Sequence, residues 1–254
     1  MRVLVTRPEP AGERTAARLA ALGHDPVLMP LFEPRVTAMI DDLPPAARIS
    51  GLIATSARAF AMFEGRDVSE TGFKDVVIHA VGPATAQAAR DAGFADVREG
   101  GGTAQALAKV LTDNRTTVSD GSGAVPSRRA RSTLIYLAGV PRTAVIEDAL
   151  KAADRDYLVL DCYRMDEISY STDILKSDIL SPLPDVVLLY SANAARRFSA
   201  LAHVKKLENS LKSSRFLCLS AAVASELPEE WQGRAVVAEQ PNEDSLLASL
   251  VALG

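Results

Sequence analysis

The chain has 254 residues, 48% of them hydrophobic and 24% charged, which suits one large or two small globular domains. Its 28 basic and 32 acidic residues leave a formal charge of −4, which argues against a general nucleic-acid binder but leaves room for a local cationic pocket. No stretch reaches the roughly 20 apolar residues of a membrane span, and "RVLVTRP" after Met1 reads as a short strand rather than a signal peptide. Cys162 and Cys218 are too few for a disulfide framework, so a cytoplasmic protein with reduced thiols is expected. His24, His79 and His203 lie far apart without ligand spacing, and no metal site is expected.

In chain order, apolar runs alternate with helical patterns, as βα units and parallel sheets require. "RVLVT" predicts a strand, "GERTAARLAALG" an amphipathic helix ending at Gly23, and "PVLMPLF" the next strand. "GLIAT" leads into the helix-like "SARAFAMFE". "VVIHAV" leads into "GPATAQAARDAG", ending at Gly93, and "DVREG" precedes the helix "TAQALAKVLTD". Residues Asn114–Thr133, rich in Ser, Gly, Pro and Arg, predict a mobile surface loop. Its "RRAR" (Arg128–Arg131) reads first as a solvated charge run.

The second half replays this order. "TLIYLAG" corresponds to "RVLVTRP", and "VPRTAVIEDALKAA" to the first helix. "DYLVLDCYR" corresponds to "DPVLMPLFE", with Tyr163 opposite Phe32. "DVVLLYSANAARRF" corresponds to "SGLIATSARAF", with Ser191 opposite Ser56. "FLCLSAAVASEL" corresponds to "IHAVGPATAQAA", with Ser220 opposite Gly82. "NEDSLLASLVAL" corresponds to "TAQALAKVLTD". The offset grows from 131 to 139, as loop insertions in a duplicated chain would make it.

Several strands end in small or hydroxyl residues where a helix should begin: Thr6-Arg7-Pro8, Thr55-Ser56, Gly82 to Thr85, Gly139, Ser191 and Ser220. Ligands of open parallel sheets bind outside the carboxyl ends of the strands, and free N–H groups at helix starts favour anions. The same residues are also the usual N-caps, so each one singly reads first as a cap. There is no GxGxxG after the first strand, no GxxxxGK[ST], no GxSxG and no CxxC. The residues alone thus point to a two-lobed α/β protein with a cleft for an anionic molecule. Tyr163 and Arg164, following the apolar "LVL", fit either a site or a strand leaving the core.

Taken together, "VLVTRP", "TSARAF", "AVGPATAQAA", "LIYLAG", "CYR", "DVVLLYSANAARRF" and "CLSAAVA", in that order, resemble the uroporphyrinogen-III synthase family from Arg2 to about Leu250. The resemblance implies an α/β fold of two parallel-sheet lobes, an internal duplication with exchanged parts, joined by a two-stranded connection with the cleft between them. Lobe one would be residues 1–33 and 168–254, and lobe two residues 38–165, which places the 114–133 loop inside lobe two. It implies cyclisation of hydroxymethylbilane, a linear tetrapyrrole with eight carboxylates, with loss of water and inversion of the last ring. No cofactor, metal, nucleic-acid or membrane partner is implied, and a monomer is expected. The runner-up is a non-catalytic two-lobed binding protein for a small anionic solute.

Carried over residue by residue, the resemblance gives Tyr163 the role of proton or hydrogen-bond donor to the departing hydroxyl. A phenol with the ordinary pKa of about 10 stays protonated at neutral pH. Substrate-binding candidates are Arg7, Ser56, Gly82, Thr85, Gly139, Arg142, Arg164, Ser191, Ala192, Asn193 and Ser220, with Arg58 and Arg196 further cations near strand ends. Tyr163 is expected to leave the sheet at the hinge, with Arg164 pointing to the opposite side, either to bind a propionate or to brace the connector. "LSAAVA" departs from a second GPxT-like turn, which leaves any hydroxyl role there in doubt.

Overall fold

The computed structural model describes residues 1–113 and 133–253. The expected 114–133 loop, with "RRAR", lies outside the described residues except for Thr133, which opens a strand. The strands are β1 (Arg2–Val5), β2 (Asp25–Leu28), β3 (Phe32–Val36), β4 (Ile49–Ala54), β5 (Ile78–Ala80) and β6 (Val97–Glu99). They continue as β7 (Thr133–Val140), β8 (Tyr157–Glu167), β9 (Val186–Leu189), β10 (Arg215–Cys218) and β11 (Ala235–Val237). The first helices are α1 (Ala11–Ala21), α2 (Pro83–Asp91), α3 (Ala104–Asp113) and α4 (Val145–Ala152). After them come α5 (Thr172–Ile174), α6 (Ala192–Val204), α7 (Ala221–Ala224), α8 (Glu229–Gln232) and α9 (Glu243–Val251).

The chain divides into two compact units, Met1–Glu33 with Asp166–Gly254, and Pro34–Met165. In the first, the sheet order is β11-β10-β9-β1-β2 with every pair parallel. Alternate residues serve opposite faces. Leu4 joins Val187, Leu189, Phe216 and Cys218 on one side, covered by Phe198 of α6 and by Trp231, whose ring stacks on Phe216 at 4.8 Å. Val3 and Val5 join Val186, Leu188 and Leu217 on the other, covered by Leu19 of α1 and Leu246, Leu247 and Leu250 of α9. Covering both faces is why these strands read as unbroken apolar runs. Each fully buried Leu or Val contributes about 1.5–3 kcal/mol.

In the second unit the order is β3-β8-β7-β4-β5-β6. Ile135 and Leu137 of β7 face a core with Leu52, Ile78 and the edge-to-face pair Phe63–Phe94. Leu134, Tyr136 and Ala138 face the other core, with Leu107 and Leu111 of α3 and Ile146 and Leu150 of α4. Strands β4 to β8 pair in parallel. β3 runs opposite to β8, since Leu31 accepts from Ile168 N (3.0 Å) while Thr37 N donates to Cys162 O (2.9 Å).

Each sheet reverses its strand order once. From β4 the chain builds outward through β5 and β6, then returns to the far side of β4 with β7 and β8. From β1 it builds to β2, then returns to the far side of β1 with β9 and β10. The crevices at such reversals, outside the carboxyl ends of the strands, are the ligand sites of open α/β sheets.

Three local expectations are corrected. "PVLMPLF" is not one strand: Pro30 has no N–H to donate, and the chain breaks between β2 and β3 while Met29 and Leu31 bury their side chains. "SARAFAMFE" forms a 3₁₀ helix over Ala57–Phe63 rather than an α-helix, because its apolar positions 59, 60, 62 and 63 suit a three-residue turn. Tyr163 does not leave the sheet. β8 runs on to Glu167, held extended by β3 along its outer edge, where Thr37 Oγ1 also donates to Asp161 O (2.6 Å).

Candidate active site

The reversal between β4 and β7 carries a hollow of ≈170 Å3 lined by Thr55, Ala104, Tyr136, Gly139, Arg142 and Tyr163, with Pro141, Thr143 and Ile146 completing the wall. Every one of these residues belongs to the second unit. Tyr163 reaches the hollow through a break in register. β7 and β8 pair Ala138 with Asp161 and then Gly139 with Tyr163, skipping Cys162. The extra residue bulges β8 and re-aims the side chain that follows it. The half-buried Tyr163 ring then lies over Gly139, where a Cβ would fall on the ring, 2.7 Å from its Cε2. Gly139 is therefore the seat of Tyr163, and any side chain there would force the ring or the strand to move.

Behind it sits Tyr136, 2% exposed, with its hydroxyl 3.1 Å from Thr55 Oγ1 at the end of β4. Burial pushes the Tyr136 phenol above its ordinary value against the opposing pull of the Thr55 bond, so it is neutral at physiological pH. Arg142 borders the hollow but is already paired, donating from Nε to Glu147 (2.6 Å) and from Nη1 to Asp161 (2.8 Å). A substrate carboxylate binding Arg142 has to compete with both.

The other sequence candidates fall elsewhere. Ser56 follows Thr55 directly and caps the 3₁₀ helix, accepting from Arg58 N at 3.3 Å. Gly82 precedes α2 and packs so tightly that a Cβ would meet Gly102 Cα at 3.1 Å; Thr85, in the same helix, is 5% exposed. Arg164 lies opposite Val140 on an exposed stretch of β8. In the first unit, Ser191 caps α6, accepting from Ala194 N (3.1 Å), and Ala192 and Asn193 open that helix. Asn193 accepts from Arg196, which also pairs with Glu226 at 2.7 Å. Ser220 precedes α7 and makes no side-chain cap bond.

Arg7 is held internally. It pairs with Glu243 (2.9 Å), donates to Thr15 (3.2 Å) and lies 4.4 Å over the Tyr190 ring. The hollow brings together Tyr163, Gly139, Arg142 and Thr55, each of which the sequence had singled out separately, with Tyr136 and Ala104, which it had not. The available signal was Tyr136 itself, a hydroxyl inside the otherwise apolar run "LIYLA", since a buried phenol needs a partner. Among the described residues no cluster of His, Cys, Asp or Glu could hold a metal, and no helix is long and apolar enough to cross a membrane.

Comparison with known proteins bears on this geometry. A family model described as "Uroporphyrinogen-III synthase HemD" matches residues 13–248. The crystal structure of uroporphyrinogen-III synthetase from Helicobacter pylori superposes with a TM-score of 0.62 at 15% identity, covering 100% of this chain and 99% of that one. A mutant uroporphyrinogen III synthase from Thermus thermophilus gives 0.57 at 18% identity, covering 99% and 98%. At these identities the two structures establish the shared two-lobed α/β fold. No sequence among curated proteins matches significantly. With the family model spanning nearly all of the sequence, the chain belongs to the uroporphyrinogen-III synthase family.

Proposed function

We propose that the protein closes hydroxymethylbilane to uroporphyrinogen III with inversion of the last ring, and that Tyr163 acts at the hydroxyl that departs. The family match over residues 13–248 carries the activity, and the hollow at the β4–β7 reversal supports the placement of the chemistry. At ≈170 Å3 the hollow is well below the roughly 300–1,000 Å3 of a drug-sized ligand site, so it takes one pyrrole ring rather than the whole tetrapyrrole.

In this reading the ring carrying the hydroxymethyl group enters the hollow beneath Tyr163. The phenol donates its proton to the hydroxyl oxygen as the C–O bond breaks. The electron pair leaves with oxygen as water, and the ring becomes an azafulvene cation. The cationic carbon bonds to the α-carbon of the last ring that already carries its bridge. That bridge bond breaks, and the released bridge carbon re-bonds to the ring's other α-carbon, which inverts the ring. The proton lost there on rearomatisation returns to the phenolate. General acid assistance of this kind is worth about 10²–10⁴-fold. The carboxylates bind to the first-turn N–H groups beside Gly82 and Thr85 and beside Ser191, Ala192 and Asn193, with Ser56, Ser220 and Arg164 at their margins. Product affinity then weakens with added salt, because exposed charges are screened over about 8–10 Å.

The protein works as a cytoplasmic monomer in this reading, and both cysteines stand outside the reaction. Cys162 and Cys218 are buried, and burial pushes each thiol up to about 12. The test is incubation with freshly made hydroxymethylbilane and separation of the product isomers. Spontaneous closure gives the uninverted type I product. Type III above background is expected, and type I alone would overturn the activity.

A further inference from the structure

Tyr136 has no part in the proposed acid step, yet its position calls for one. It occupies a central strand between Ile135 and Leu137, where phenylalanine would pack as well. Its hydroxyl lies 3.1 Å from Thr55 Oγ1, and it lines the hollow that Tyr163 also lines. A phenol can donate one hydrogen bond and accept two. If the proton goes to Thr55, the oxygen's lone pairs are left for the occupant of the hollow.

That occupant, in the proposed reaction, is a pyrrole ring whose N–H is a donor. Departure of the hydroxyl as water puts positive charge on the ring nitrogen, so the N–H donates more strongly in the transition state than in the ground state. An acceptor fixed beside it stabilises the transition state selectively. We propose that Tyr136, oriented by Thr55, accepts a hydrogen bond from the N–H of the pyrrole ring whose hydroxyl departs, in the hollow that the acid Tyr163 also lines. No proton moves to Tyr136: the C–O electron pair still leaves with oxygen, and the Tyr136 hydroxyl stays intact throughout. Burial, which favours the neutral phenol, is consistent with that. The inference rests on the proposed role of Tyr163 in the same hollow.

The test is Tyr136→Phe, assayed on hydroxymethylbilane with the isomers separated and alongside Tyr163→Phe. The expected result is a fall in kcat of about 10–100-fold with KM little changed, since a hydrogen bond to a developing charge is lost. Thermal stability should hold, because half-exposed Thr55 can turn to water. Replacing Tyr136 by 3-fluorotyrosine keeps the shape and the Thr55 bond while making the oxygen a poorer acceptor. It should lower kcat in a folded protein even where Tyr136→Phe proves unstable, which a merely structural role would not do. Wild-type kcat in the fluorotyrosine protein overturns the inference. If Tyr163→Phe is slow while Tyr136→Phe and the fluorotyrosine protein are not, only this inference fails. If all three turn over like wild type, the role of Tyr163 fails with it.

Discussion

The two sheet reversals stand at equivalent places in the duplicated chain and end differently. Beside β4 and β7, helix α3 begins with Thr103 accepting from Ala106 N (3.1 Å), and Ala104 lines the hollow. Beside β1 and β9, helix α9 begins in the same way, Asn242 accepting from Ser245 N (2.9 Å), and the next residue is Glu243. Its carboxylate fills the crevice. It accepts from Arg7 (2.9 Å), Arg18 (3.1 Å), Tyr190 (3.2 Å) and Thr15. One side chain thus separates an open crevice from one closed by an internal ion-pair network. The lesson is that strand topology supplies a place for a ligand, and the first residue of the neighbouring helix sets what lines it: Ala104 at one reversal, the ion-paired Glu243 at the other.

The comparison is broken most severely at Tyr163, for which the closed crevice has no counterpart, its repeat partner being Phe32. Tyr163→Phe keeps the ring on Gly139 and removes the donor. Turnover to type III should fall by about 10²–10⁴-fold, with the melting temperature nearly unchanged. Wild-type turnover would end the acid role. Next in size is Ala104→Glu, which gives the open crevice the residue of the closed one. A glutamate at the first helical position suits the helix dipole and should not destabilise the fold. It should occupy the hollow and set a carboxylate against the substrate, lowering kcat/KM by about 10²-fold, or about 2.7 kcal/mol. An active Ala104→Glu would show that the ring does not bind there.

Much of the architecture was legible in the sequence because buried parallel strands leave unbroken apolar runs, such as Leu134–Ala138, separated by amphipathic helices. The site was legible only in part. Gly139 and Tyr163 drew notice for their residue types, but their meeting depends on a bulge at Cys162, and one extra residue in a strand leaves no periodic signal. Tyr136 was masked by its apolar neighbours. Ala104 contributes by lacking bulk, which no composition argument detects. Arg7 is the opposite case: in the sequence it is a cation at a strand end, and only the fold shows that Glu243, 236 residues away, pairs with it.

A smaller effect is expected at the seat itself. Gly139→Ala places a methyl group inside the Tyr163 ring, so the ring must swing off its position or β7 must move. Overpacking of this kind costs about 1–3 kcal/mol. Turnover should fall with it, since the hydroxyl is displaced. Adding Gly139→Ala to Tyr163→Ala should cost almost nothing further in melting temperature, because the ring it collides with is gone. An undiminished cost in that background would mean that Gly139 serves the backbone rather than the ring.

The smallest effect belongs to the closed crevice and is a matter of pH. Burial alone would raise the Glu243 carboxyl, but the bonds from Thr15 and Tyr190 and the charges of Arg7 and Arg18 outweigh it and hold the group below its ordinary value. A carboxylate depressed in the folded state contributes stability that is complete above its unfolded pKa of about 4.3 and is lost as pH falls through the lower folded value. Glu243 is still partly open to water, its side chain 26% exposed, so screening limits the contribution to about 1 kcal/mol. Glu243→Gln should therefore lower the melting temperature at pH 7 by roughly 2–4 °C. The gap to wild type should stay constant down to about pH 5 and close in more acid solution, because there the wild-type carboxylate is protonated too. Type III turnover at pH 7 should be unaffected if this crevice is structural. A gap that persists unchanged to pH 3, or a large loss of turnover, would show that Glu243 does more than fill the space its counterpart Ala104 leaves open.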